Sequence, residues 1–485
     1  AVASAENQLQ VMYNSLSHVQ REVSDQNVTV TEIADYYLQR IEDHKYLNAF
    51  VEVFEDEVKE RAAAIDQKVK QGKGGKLAGL VLGIKDNIAY KGHKVTAASK
   101  ILEGFESLYN ATVVERLLKE DALIVGRLNC DEFAMGSSNE NSVYGPVLNP
   151  HESSRVPGGS SGGSATAVAA DLCMAALGSD TGGSIRQPAS FTGMVGLKPT
   201  YGRVSRYGLL AYACSFDQIG PITKNVEDTV KIMQVMAGAD DYDSTASPRE
   251  VPDYNKKFNL SSNASFKVAY LKSPLEVSSL DPEIRDKMME TVDWLKDDGH
   301  TVEPVDFELQ DYLVPAYYVL STAEASANLA RYDGIHYGYR SKNASDVQST
   351  YVKSRSEGFG KEVKRRIMTG TFVLSAGYYD AYYTKAQKIR RLIYDKTREI
   401  LEQYDFVLLP TTPSTAFKLG EKTDDPVKMY LEDIFTVHAN LAGIPAISVP
   451  VGQHSNGLPF GLQIYSGHFQ EEKLFPFADY LMNLA

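Results

Sequence analysis

Two glycine runs carrying serines lie close together in the chain, "PGGSSGGS" over 157–164 and "TGGSIR" over 181–186. Such runs serve as flexible linkers, phosphate cradles or catalytic backbone. A Gly/Ser linker joins independent units, whereas the first run passes directly into the apolar, alanine-rich "ATAVAADLCMAALG". A phosphate loop ends in Gly-Lys-Ser/Thr, which neither run supplies. Serine nucleophile chemistry remains, in two geometries. "GGSSG" fits the Gly-x-Ser-x-Gly elbow with Ser160 at its centre, but that mechanism needs a histidine. His300, His336, His438, His454 and His468 all stand in contexts that read as surface or core histidines. The second geometry uses lysine as the base. "GIKDNI" sets Lys85 directly after an apolar run, where burial disfavours the ammonium and lowers its pKa. A lysine snorkelling from a strand end is the plainer alternative. No Ser-x-x-Lys occurs in the chain, which excludes the β-lactamase arrangement.

These residues need elements to hold them. In "TVTEIADYYLQRIEDH", Thr29 and Glu32 have capping-box spacing, and Ile33, Tyr37 and Ile41 recur on one helical face. A charged stretch from Glu55 to Lys70 keeps helical composition until "QGKGG" stops it. "LAGLVLGIKDNI", "ALIVGRLN", "SFKVAYLKS", "YDFVLLPTTP" and "AISVPVG" read as strands, while "SATAVAADLCMAALG" and "DPEIRDKMMETVDWLKDDG" read as helices. This alternation predicts an α/β sheet covered by helices. The polar stretch from Ala237 to Asn259 reads as a loop or subdomain junction.

Composition narrows the function classes. The 485 residues are 43% hydrophobic and 23% charged, as in globular proteins. A net charge of −13 works against direct binding to a phosphate backbone. Cys130, Cys173 and Cys214 are scattered and form no Cys-x-x-Cys pair, which suits a reducing compartment. No apolar run of about eighteen residues exists to span a bilayer, and "AVASAENQLQ" lacks the charged and apolar regions of a signal peptide. The expected location is cytoplasmic, without a membrane partner.

Taken together, "GIKDNI", "VPGGSSGGSATAVAADLCMAALGSDTGGSIRQPASFTGMVGLKPTYGRVSRYG" and "SFDQIGP" strongly resemble the amidase signature family. The resemblance implies a large twisted mixed β-sheet with helices on both faces. It implies one domain over 1–485, with a helical N-terminal segment at about 5–72, a signature core at about 78–224, and a part at about 260–485 that completes the sheet and the substrate pocket. It assigns Lys85 as base, Ser160 as the bridging serine after a cis Gly159–Ser160 peptide, and Ser184 as nucleophile. The backbone of Thr181, Gly182, Gly183 and Ser184 is the implied oxyanion hole, close-packed glycine allowing donors to approach the developing charge.

Further segments, "RSEGFGKEVKRRIMTGTFVLSAGYYDAYYTKAQKIR" and "DDPVKMYLEDIFTVHANLAGIPAISVPVG", resemble the glutamine-hydrolysing subunits of tRNA-dependent amidotransferases within that family. Tyr317, Arg366 and Asp433 then correspond to the family's glutamine clamp. Arg366 suits an α-carboxylate and Asp433 an α-ammonium. The implied assembly is a heterotrimer with B and C subunits, reaching Glu-tRNA(Gln) through a partner that also holds ATP and Mg. No metal or cofactor is expected in this chain. A stand-alone amidase for another small amide and a silent scaffold remain the alternatives.

Overall fold

The computed structural model describes residues 13–259 and 264–484; the expected helical stretch at 5–12 lies outside the described residues. The apolar runs form β1 (Phe50–Val53), β2 (Val81–Lys85), β3 (Leu123–Leu128), β4 (Ala175–Asp180), β5 (Val195–Lys198), β6 (Gln218–Thr223), β7 (Lys267–Leu271), β8 (Thr301–Val305), β9 (Phe406–Pro410), β10 (Ala446–Gln453) and β11 (Pro459–Tyr465). They make one sheet in the order β1-β3-β2-β4-β6-β5-β10-β11-β9-β7-β8. It is mixed: β2 runs parallel to both β3 and β4, and β7 to both β8 and β9, while the other neighbours are antiparallel.

Every residue of β2, β3, β4, β5, β6 and β9 is buried. Successive side chains of a strand point to opposite faces, so full burial means that both faces of this region are covered. The runs therefore read as continuous rather than alternating hydrophobicity.

Local signals and tertiary packing agree at the N-terminal side. The helix Val30–Asp43 starts with a complete Thr29–Glu32 capping box and buries Ile33, Tyr37 and Ile41. The charged stretch is the helix Glu55–Lys70. "SATAVAADLCMAALG" departs from the expected single helix: the helix Gly162–Ala169 ends within it, and Ala175 opens β4. A run of small apolar residues suits a buried helix and a buried strand alike, and here the place between β2 and β6 decides for the strand. Residues 237–259 contain neither helix nor strand.

The carboxyl ends of parallel β2 and β4 share one rim of the sheet, where α/β folds place their ligands. Lys85 ends β2 and Asp180 ends β4. The next residue, Asp86, is fully buried. It accepts hydrogen bonds from the amides of Thr96 (3.0 Å) and Ala98 (2.9 Å) and pairs with the Arg127 guanidinium of β3. This anchor fixes the backbone that carries Lys85. Removing one partner of a buried pair costs about 3–5 kcal/mol, and Glu52 still holds Arg127 at 3.0 Å. Asp86→Ala is therefore expected to lower stability by about 3 kcal/mol, read as an earlier midpoint in urea unfolding.

Candidate active site

The first glycine–serine run is buried from Pro157 to Ser164 and seats the helix Gly162–Ala169 against the sheet. Gly163 donates its amide to the Asn129 carbonyl at 3.1 Å, and a Cβ there would lie 2.2 Å from that same oxygen. The glycines serve close approach, not flexibility. The Gly159–Ser160 peptide is cis. Lys85 Nζ lies 2.6 Å from Ser160 Oγ, 2.9 Å from Ser161 Oγ and 3.0 Å from Ser179 Oγ. All four residues are buried, and no carboxylate pairs with Lys85 among the described residues. Burial lowers the Lys85 pKa to about 8, against the opposing pull of Asp131, Asp180 and Asp217. An amine with that pKa is the form a general base needs near neutral pH.

Ser184 lies in the turn between β4 and the helix Arg186–Thr192, and its carbonyl accepts the Ser161 amide at 3.2 Å. It is the least buried of the serines named here, at 8% exposure. Its hydroxyl makes no hydrogen bond among the described residues, so no direct bond joins Ser160 to Ser184.

The turn is held from below by Asp180. Its carboxylate accepts the amides of Gly183 (2.9 Å) and Ile185 (3.1 Å), the Nδ2 of Asn440 (2.8 Å), and both Nε (3.1 Å) and Nη2 (3.1 Å) of Arg186. Burial alone would raise the Asp180 pKa, but Arg186 and these hydrogen bonds outweigh it and hold the group at about 2. Gly183 has φ of 131°, a region closed to other residues, and its missing Cβ leaves room for Thr436, whose Oγ1 donates to the Gly182 carbonyl at 2.7 Å. Of the four implied oxyanion residues, Gly183 already gives its amide to Asp180. The amides of Thr181, Gly182 and Ser184 have no acceptor among the described residues.

The three residues of the expected clamp are all buried. Tyr317, on the helix Gln310–Asn328, packs its ring over Gly182, where a Cβ would come within 2.4 Å of the phenol. Arg366 is buried with Nε on Glu362 (2.9 Å) and Nη1 on the Tyr212 hydroxyl (2.9 Å), under the rings of Tyr212, Tyr318 and Tyr430. Its Nη2 makes no hydrogen bond among the described residues. Asp433 accepts from the hydroxyls of Tyr318 (2.7 Å) and Ser137 (3.0 Å). Burial raises its pKa to about 7, although those hydroxyls and Arg366 pull the other way. Among the described residues no ion pair joins Arg366 to Asp433; Tyr318 lies between, touching both. Ser137, Ser161, Ser179, Tyr212, Tyr318 and Tyr430 escaped the sequence reading. The doubled serines and the doubled tyrosine of "PAYYV" were the available signals.

The histidines pair elsewhere. His438 contacts Thr397, His300 accepts from the Phe266 amide, and His336 and His454 pair with Asp333 and Asp281. His468 bonds the Ala442 carbonyl. The elbow mechanism with Ser160 as nucleophile therefore has no histidine to use among the described residues.

Residues 32–475 match the Amidase family profile. The chain is 50% identical to the A subunit of glutamyl-tRNA(Gln) amidotransferase from Chlorobium limicola, over 96% of this chain and 99% of that protein. The crystal structure of the A subunit of glutamyl-tRNA(Gln) amidotransferase from Thermotoga maritima superposes with a TM-score of 0.76 at 42% identity, covering 93% of each chain. The native peptide amidase of Stenotrophomonas maltophilia superposes with a TM-score of 0.80 at 29% identity, covering 97% of this chain and 96% of that one.

With Lys85 as candidate base, Lys85→Arg is expected to fail as badly as Lys85→Ala, because a guanidinium keeps its proton. Ammonia release from an amide substrate should fall about 10²–10⁴-fold in both. An active arginine variant would show that charge alone suffices.

Proposed function

The chain belongs to the amidase family, and from that membership we propose that it is the glutamine-hydrolysing subunit of a glutamyl-tRNA(Gln) amidotransferase. The observation that carries this reading is the clamp: a buried guanidinium with one free nitrogen and a buried carboxylate stand on either side of Tyr318, beside the candidate nucleophile's turn. Glutamine carries an α-carboxylate for the first and an α-ammonium for the second. A fatty or aryl amide would offer nothing to the free nitrogen of Arg366, whose Nε is already held by Glu362, or to the Asp433 carboxyl. The relatives named as A subunits of glutamyl-tRNA(Gln) amidotransferases support the amidotransferase part of this reading.

In the proposed mechanism the Ser184 hydroxyl attacks the side-chain amide carbon of glutamine, and its proton moves through the Ser160 hydroxyl to neutral Lys85. The tetrahedral oxyanion is met by the free amides of Thr181, Gly182 and Ser184. Its collapse breaks the C–N bond, and the proton returns through Ser160 to the departing nitrogen, which leaves as ammonia. Water then attacks the acyl-enzyme, activated by the same relay, to release glutamate. The ammonia passes to a partner subunit that amidates Glu-tRNA(Gln) with ATP, within a heterotrimer of A, B and C subunits.

Two outcomes test this. Ser184→Ala is expected to abolish ammonia release from glutamine while the complex still forms Gln-tRNA(Gln) from added ammonium. Equal loss with both nitrogen donors would place the second chemistry in this chain. A stand-alone amidase would instead hydrolyse its amide without partners and would gain nothing from them.

The clamp carries its own pH dependence. The Asp433 carboxyl, at about 7 when free, must be ionised to pair with an ammonium, so bound glutamine lowers its pKa. Glutamine binding therefore strengthens as pH rises through 7 and levels off above it. Measured calorimetrically in Ser184→Ala between about pH 5 and 8, the dissociation constant should fall by up to about tenfold per unit below 7. Asp433→Asn should bind weakly with a flat profile. A slope unchanged by that substitution would detach Asp433 from the ammonium.

A further inference from the structure

The hydrogen bonds around Lys85 leave one group unexplained. Asn87, two residues beyond the lysine and 1% exposed, is placed with its side-chain Nδ2 2.9 Å from Ser179 Oγ. The other end has no partner among the described residues. An amide's oxygen and nitrogen have nearly the same shape, so the donor and acceptor count decides which end faces the serine.

The count begins with Ser161. Its hydroxyl donates to the Ser179 carbonyl at 3.1 Å, so towards Lys85 it only accepts. A neutral lysine offers two N–H bonds and one lone pair. One N–H goes to Ser161. If the lone pair is to take a proton from Ser160, the second N–H must go to Ser179. The Ser179 hydroxyl proton then needs an acceptor, and Asn87 is the other side-chain group within reach. With the amide nitrogen facing Ser179, that proton has only the lysine lone pair to turn to, where it competes with Ser160. With the amide oxygen facing Ser179, the conflict disappears. The same arrangement serves protonated lysine, whose three N–H bonds meet three accepting hydroxyls.

We propose that Asn87 is a positioning residue for the base: its carbonyl oxygen takes the Ser179 hydroxyl proton, so that the Lys85 lone pair is reserved for Ser160. This rests on the reading of Lys85 as base. The charged and titratable groups around the lysine are Asp131 and Cys130 from the segment after β3, Asp180 from β4 and Asp217 before β6, and none of them lies within ion-pair distance of Nζ among the described residues.

The test uses the full chain with its partner subunits, with ammonia release from glutamine followed across pH. Asn87→Leu keeps the volume and removes the acceptor; kcat is expected to fall about ten- to a hundred-fold. Adding Ser179→Ala to that variant removes the competing hydroxyl, and kcat should recover at least about threefold over Asn87→Leu alone, a fraction of the general-base contribution. A residue that only packs predicts the opposite, with the double variant no better than the single. Asn87→Asp gives a second readout should Asn87→Leu not fold. A carboxylate still accepts from Ser179 but stabilises the ammonium, so the acid limb of kcat/KM should move up by about one pH unit or more, with rate regained at high pH. An unshifted limb, or no recovery in the double variant, overturns the proposal. Lys85→Ala run in parallel separates the two failures: retained activity there would refute the base itself rather than the role of Asn87.

Discussion

An amine buried without a counter-ion is the constraint on which the rest of the site depends. Lys85 sits among three hydroxyls and, among the described residues, no paired carboxylate, and a lone ammonium in such a place is costly. The protein meets that cost by letting the group approach neutrality, which is the form a base requires. A nearby carboxylate would have made a stable ion pair and a useless base. The acidic residues of the neighbourhood are accordingly engaged elsewhere: Asp86 with Arg127, Asp180 with Arg186, Asp217 with Thr181 and the amides of Tyr212 and Ala213.

Keeping the amine dry demands that backbone approach backbone more closely than side chains allow. This is why serine and glycine dominate the runs at 157–164 and 181–184. Serine supplies short polar groups that fill the space beside the amine, and glycine lets the helix Gly162–Ala169 close on β3. The turn after β4 would otherwise carry several inward amides with nothing to accept them. Asp180 takes two, and the remaining unpartnered amides face the space where substrate charge develops on the proposed reading.

What could be read from the sequence follows from where the information is stored. The capping box at Thr29 and the buried strand runs are local patterns, and they appear where expected. Lys85, Ser160 and the turn at 181–184 were legible because their motifs are long. The division of "SATAVAADLCMAALG" into helix and strand was not, since the deciding factor is β6, a neighbour in space that lies well downstream in the chain. Gly183 shows a finer limit: its place in the motif is plain, but only the fold reveals that Asp180 already holds its amide. Likewise Tyr318 and Tyr317 are adjacent letters on one helix, and their roles separate because one ring faces Gly182 and the other lies between Arg366 and Asp433.

Chemistry and recognition come from different stretches of the chain, yet a short path joins them. The proposed base, bridging serine and nucleophile turn lie between 85 and 184, and the proposed clamp between 317 and 433. Asp433 is three residues from Thr436, whose hydroxyl holds the Gly182 carbonyl and whose own carbonyl accepts from Arg186 at 2.9 Å. Arg186 in turn grips Asp180, which orders the turn. On the proposed reading, a substrate cation held by Asp433 is thereby registered against the oxyanion amides through the turn from Asp433 to Thr436 and the hydrogen bonds of Thr436 with Gly182 and Arg186. Errors of about 1 Å in placing the reacting carbon are expensive in rate. A path this short lets the proposed clamp set that placement.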